Sequence, residues 1–264
     1  MTDVPPFLYG TAWKEDATER LTRLALDAGF RGIDTANQRK HYFEAGVGAA
    51  IRSAGIPRDE LFLQTKFTYR DGQDHRLPYD PNADPATQVQ QSFASSLEHL
   101  QVDRIDSYVL HGPQRRRGLT NVDRATWRAM ESLPNVRFLG VSNVALDQLE
   151  ELVSFARVPP TFVQNRCYAR THWDADVRAF CRARDIVYQG FSLLTANMAA
   201  LRSARFREVV ARTGRTPAQI VFRFALQVGM LPLTGTTDPE HMREDLGALD
   251  FELSAGDVQI IENL

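Results

Sequence analysis

Short apolar runs rich in branched and aromatic side chains alternate along nearly the whole chain with segments of helical period. Eight such runs stand out: FLYG (7–10), RGID (31–34), LFLQTK (61–66), IDSYVLH (105–111), VRFLGVS (136–142), TFVQN (161–165), IVYQGFS (186–192) and MLPLTG (230–235). Several are apolar at consecutive positions, which predicts parallel strands covered on both faces. Between them, Leu21, Leu24, Ala25 and Ala28 fall on one helical face ahead of Gly29, a natural helix stop. Leu149, Leu152, Val153 and Ala156 repeat that spacing. Thr216-Pro217 reads as an N-cap with proline at the first helical position, opening an apolar stripe that runs through Val228 to Gly229. Repeated βα units predict an α/β fold, a closed (β/α)8 TIM barrel, with residues 1–264 as a single domain. Residues 70–85 read as a polar, turn-rich loop. A doubly wound sheet binding a dinucleotide would carry a glycine fingerprint at its first βα turn, but that turn is GTAWKED.

Composition narrows the function classes. The 264 residues are 43% hydrophobic and 24% charged with a net charge of -2, so nucleic acid and anionic membranes are not expected partners. No stretch approaches the ~18 apolar residues of a membrane span, and the polar start MTDVPP lacks a signal-peptide core, so a cytoplasmic location is expected. Two cysteines, Cys167 and Cys181, and scattered histidines match no metal-ligand spacing. Arg115-Arg116-Arg117 reads as a solvated loop.

Barrel active sites lie where strands end, so polar residues closing strands are the informative ones. Asp34 closes RGID, Lys66 closes LFLQTK, His111 closes IDSYVLH, and Tyr42 follows Asp34. Lys66 is one of only three lysines, and an ammonium at the end of an apolar strand is chemically unlike a surface guanidinium. Plainer readings exist: a structural Lys66–Asp34 salt bridge, a capping Asp34, a core His111. Together, an acid, a lysine, a histidine and a phenol suit proton transfer to a carbonyl oxygen better than phosphoryl or metal chemistry.

At these same residues the sequence resembles the aldo-keto reductase family. The matching pieces are GTAW (10–13), GFRGIDTA (29–36), FEAGVGAAI (43–51), QTK (64–66), IDSYVLHGP (105–113), WRAMESL (127–133), GVSN (140–143), VQN (163–165), FSLL (191–194) and PEHMRED (239–245). The resemblance implies a monomeric barrel that reduces an aldehyde or ketone to the alcohol, with hydride from a nicotinamide and a proton from a tyrosine. It implies that Asp34, Lys66 and His111 belong to the catalytic tetrad. It places Ser142, Asn143 and Gln164 at the nicotinamide carboxamide, Phe191 under the nicotinamide ring, and Ser192 and Leu194 at the pyrophosphate. Trp13 matches a pocket tryptophan.

Three departures qualify that pattern. The catalytic tyrosine usually follows the aspartate by five residues, where this chain has Arg39. NQRKHY thus carries an insertion of two or three residues, which puts His41 in register and Tyr42 one step later. Tyr42 is favoured as proton donor because a neighbouring ammonium lowers a phenol's pKa toward neutrality, with His41 near the substrate. Around the adenosine phosphate, Leu233 and His241 replace the usual cations, leaving Thr236, Thr237 and Arg243; NADPH is expected as cofactor, with NADH the alternative. The chain ends soon after DFELSAGDVQIIENL, from which an open pocket and broad substrate tolerance are expected. Two other functions stay open: a catalytically weak cofactor-sensing or accessory barrel of the same family, and an isomerase or lyase using Lys66 as a Schiff-base amine.

Overall fold

The computed structural model describes residues 4–264, so part of the polar start MTDVPP lies outside the described residues. Eight parallel strands, β1 (Leu8–Gly10), β2 (Gly32–Asp34), β3 (Phe62–Phe67), β4 (Ile105–Leu110), β5 (Val136–Ser142), β6 (Phe162–Arg166), β7 (Val187–Phe191) and β8 (Met230–Thr234), close into a barrel in sequence order. Every run expected to be a strand is one, within a residue or two at each end.

Alternate side chains of these strands enter two separate cores. Tyr9, Ile33, Leu63, Tyr108, Leu139, Val163 and Tyr188 face the helices in a large outer cluster, whereas Leu8, Phe62, Phe162, Leu231 and Leu233 fill the inside. This double burial is why the runs read as continuously apolar.

The first six helices are α1 (Thr18–Ala28), α2 (Glu44–Ala54), α3 (Pro85–Leu100), α4 (Asn121–Met130), α5 (Leu146–Phe155) and α6 (Ala175–Arg182). Then come α7 (Met198–Leu201), α8 (Ala204–Thr213), α9 (Pro217–Gln227), α10 (Pro239–Leu246) and α11 (Ala255–Glu262). Gly29 ends α1 at φ 115°, and Thr216 caps α9 through a reciprocal box with Gln219, as the sequence suggested. The α9 helix stops one residue earlier than its stripe, with Val228 as the C-cap before the left-handed Gly229. The polar loop after β3 ends at Asp84 rather than Pro85, because the Asp84 carboxylate accepts from the Ala86 and Thr87 amides and makes Pro85 the first residue of α3. Arg115, Arg116 and Arg117 are exposed. Among the described residues, no helix is long and apolar enough to cross a membrane.

Candidate active site

Parallel closure puts the carboxyl ends of all eight strands at one mouth. The middle layer inside the barrel is polar: Gln64 on β3, Gln164 on β6 and Gln189 on β7 are all buried. Gln64 and Gln189 donate to each other's amide oxygens at 2.8 and 2.9 Å. Gln64 Nε2 and Gln164 Nε2 both donate to Asp34 Oδ1, at 2.7 and 3.0 Å. Lys66 completes this group, since its Nζ donates to Asp34 Oδ1 at 2.6 Å and to the Thr35 carbonyl at 2.7 Å. Burial lowers the Lys66 pKa, and the Asp34 carboxylate opposes that shift. Lys66 and Asp34 thus form a buried salt bridge, which makes the floor of the mouth.

Tyr42 stands directly over this pair. The Lys66 ammonium lies 5.4 Å from the centre of the phenol ring, and the ring meets His111 edge to face at 5.9 Å. Among the described residues the phenol oxygen has no hydrogen-bond partner, Lys66 included, so the direct acidifying contact expected from sequence is not formed here. Burial and the nearby Asp34 carboxylate instead push the Tyr42 pKa up, and the phenol stays protonated at any working pH. His111 is shifted the other way: burial and then Lys66 bring its pKa down to about 3, so the imidazole is neutral. Its Nδ1 pairs with the Thr68 hydroxyl at 2.7 Å. With Thr68 donating, the remaining hydrogen sits on Nε2.

The insertion folds as a tight turn, the His41 and Tyr42 amides both donating to the Gln38 carbonyl. It is clamped to the loop after β3, where Gln38 donates to the Gly72 carbonyl and Gln73 to the Asn37 carbonyl. The extra residues are thus taken up in the turn, and Tyr42, not His41, comes over Lys66. His41 turns toward Trp13, their ring centres 3.7 Å apart, and its Nδ1 is buried without a partner among the described residues. Burial and then Lys40 lower the His41 pKa. Trp13 itself is 71% exposed at the mouth, on a left-handed backbone of φ 62°.

The residues matched to the cofactor line the adjoining rim. Asn143, also left-handed at φ 51°, donates from Nδ2 to the His111 carbonyl and to Ser142 Oγ. The Ser142 hydroxyl donates to the Gln164 carbonyl at 2.7 Å. The Gln164 amide nitrogen is spent on Asp34 and Gln189, which fixes the amide orientation and leaves Oε1 without a partner among the described residues. Phe191 ends β7 half-buried, followed by Ser192 at φ 56° and the half-buried Leu194. Thr236 is anchored by its carbonyl, which accepts from the Tyr9 hydroxyl, and Arg243 is exposed on α10. A free amide oxygen, an aromatic face and cations farther along the rim are a donor set that fits a nicotinamide dinucleotide.

Four residues were not singled out in the sequence. Thr68 pairs with His111 Nδ1, and Gln64 with Gln189 orients Asp34 and Gln164. Lys14 is 5% exposed, donates to the Gly235 carbonyl at 2.8 Å, and has no carboxylate partner among the described residues. Burial brings its pKa down to about 8. Its position in the first βα turn, beyond a strand end, was the available signal.

A family model described as "Aldo/keto reductase family" matches residues 8–264. An uncharacterized oxidoreductase of Caenorhabditis elegans is 31% identical over 89% of this chain and 70% of its own length. A glyoxal reductase of Bacillus subtilis is 30% identical over 94% of this chain and 83% of its own. A methylglyoxal reductase of Yersinia pestis is 29% identical over 94% and 83%. Among solved structures, an aldo/keto reductase from Brucella melitensis superposes with a TM-score of 0.83 at 27% identity, covering 98% of this chain and 94% of that one.

Proposed function

The chain belongs to the aldo/keto reductase family and is an NAD(P)-dependent carbonyl oxidoreductase, and on that premise we propose that it reduces small aldehydes or ketones to alcohols with Tyr42 as proton donor. The observation that carries the reading is the placement of Tyr42 over the buried Asp34–Lys66 pair and against His111.

A reduced nicotinamide, NADPH by preference, supplies the hydride when bound. Asn143 and the free Gln164 oxygen would hold its carboxamide, Phe191 would offer a ring face, and Ser192 and Leu194 would begin the pyrophosphate segment. Thr236, Arg243 and Lys14 would serve the adenosine phosphate side. His111 donates from Nε2 to the substrate carbonyl and orients it. As negative charge develops on that oxygen, Tyr42 gives it a proton, a transfer that stays downhill because the alkoxide is a far stronger base than the phenolate. The phenolate left behind faces Lys66, which Asp34 keeps charged and fixed. His41 and Trp13 border the substrate. The names of the glyoxal and methylglyoxal relatives support a small, reactive carbonyl compound.

Steady-state kinetics with NADPH and a panel of small carbonyl compounds test the assignment. Tyr42→Phe is expected to lower kcat by at least a hundredfold, with NADPH affinity kept, whereas His41→Ala mainly raises KM. The reverse ranking would move the proton donor to His41.

A further inference from the structure

Beside the mouth lies a cavity of about 300 Å³ between the β2–α2 turn, the loop after β3 and α3, and Tyr42 forms part of its wall. Its charges are unevenly matched. Arg76 is paired with Asp74. His99 pairs through Nδ1 with Glu44 Oε2 at 3.2 Å, and Glu44 also accepts from the Thr65 and Ser96 hydroxyls, so both of its oxygens are engaged. Arg39, by contrast, has no carboxylate partner among the described residues. Its guanidinium stacks on the Phe43 ring at 4.1 Å and reaches the Tyr42 carbonyl at 3.4 Å, which holds the planar group while leaving most of its N–H donors open. Arg39 is thus the one lining arginine without a carboxylate partner among the described residues, and Phe43, Leu77 and Pro78 supply apolar wall.

Arg39 belongs to the insertion that sets this chain apart from the family pattern, so the same residues that shift Tyr42 deliver the cation. A fixed guanidinium fork matches a carboxylate in charge and in bidentate geometry. We propose that the cavity holds the carboxylate of the substrate, and that the preferred substrates are small aldehydes or ketones bearing a carboxylate group. This rests on the carbonyl reduction proposed above. The carbonyl gains hydride and a proton to become the alcohol, and the carboxylate is unchanged.

The test compares 4-oxobutanoate with butanal, which match in chain length but differ in charge. Wild-type protein is expected to favour 4-oxobutanoate, and Arg39→Gln to lower kcat/KM for it at least tenfold, mostly through KM, while butanal turnover stays within twofold. In parallel, ligand-observed NMR with butanoate and butanamide reads binding without turnover: wild type engages butanoate and Arg39→Gln does not. An equal loss on both aldehydes, or butanoate binding that survives Arg39→Gln, overturns the proposal. If the wild type reduces neither aldehyde nor any neutral carbonyl compound, the reductase reading fails, and the butanoate titration still decides whether the cavity is an anion site.

Discussion

Lys66 and Asp34 depend on each other more than either depends on substrate. Both side chains are almost wholly buried, so removing one strands the other as a charge, Asp34 with only amide donors around it and Lys66 with only the Thr35 carbonyl. Lys66→Met is expected to cost about 3–5 kcal/mol of stability and to abolish turnover, whereas adding Asp34→Asn should recover most of the stability and none of the activity. Thermal unfolding and kinetics on the three variants separate the two effects. Lys14 makes a pH prediction. With a pKa of about 8 it is charged below that pH and neutral above it. If it faces cofactor phosphate, the dissociation constant for NADPH rises between pH 7 and pH 9 by up to about tenfold per unit above the pKa. Lys14→Met should weaken binding at pH 7 and flatten that dependence; an unchanged profile in fluorescence titrations would remove Lys14 from the site. Asp34, Lys66 and His111 were legible because each closes an apolar run. Lys14 and Thr68 were not, because Lys14 is defined by Gly235, across the β1–β8 seam, and Thr68 by a histidine just beyond the end of the next strand.

Helices are positioned here by close backbone approaches as much as by apolar stripes. Gly48, in the middle of α2, packs where α2 meets the end of α3: a Cβ there would lie 2.3 Å from the His99 carbonyl oxygen and 2.9 Å from Leu100 backbone atoms. Gly48→Ala should therefore destabilise by about 3 kcal/mol, lowering the denaturation midpoint with an unchanged slope. It should also shift His99 away from Glu44. Its neighbour in sequence, Gly46, would meet side-chain as well as backbone atoms at 3.1–3.2 Å and should tolerate alanine better. Sequence periodicity locates α1, α5 and α9 because their apolar faces and stops coincide. It does not reveal such a crossing, since a glycine inside a helix looks the same whether it is merely tolerated or required. Nor does it reveal α6, whose start is set by three successive left-handed residues, His172, Trp173 and Asp174.

Across the whole barrel, the strands differ in length although the sheet is closed. β3, β4 and β5 have six or seven residues each and pair along most of that length, whereas β1 and β2 have three, and β1 meets β8 through only two paired positions. Eight parallel strands covered on both faces could be read from the sequence; the weakness of the closing seam could not, because it depends on how the first and last units of the chain meet. Local opening follows the number of ladder bonds and contacts that must break together. Hydrogen exchange under native conditions should therefore be faster in the amides of residues 8–10 and 230–234 than in those of 62–67 and 105–110. Lys14 spans the seam to Gly235, and the Tyr9 hydroxyl spans it to Thr236, so a dinucleotide held by this rim ties the two ends of the barrel together. Added NADPH is expected to slow exchange at β1 and β8 selectively, since a ligand that binds only the closed seam stabilises it by mass action. Uniform exchange across the eight strands, or protection by NADPH confined to β3–β5, would show that the seam is not the weak point and that the cofactor lies elsewhere on the mouth.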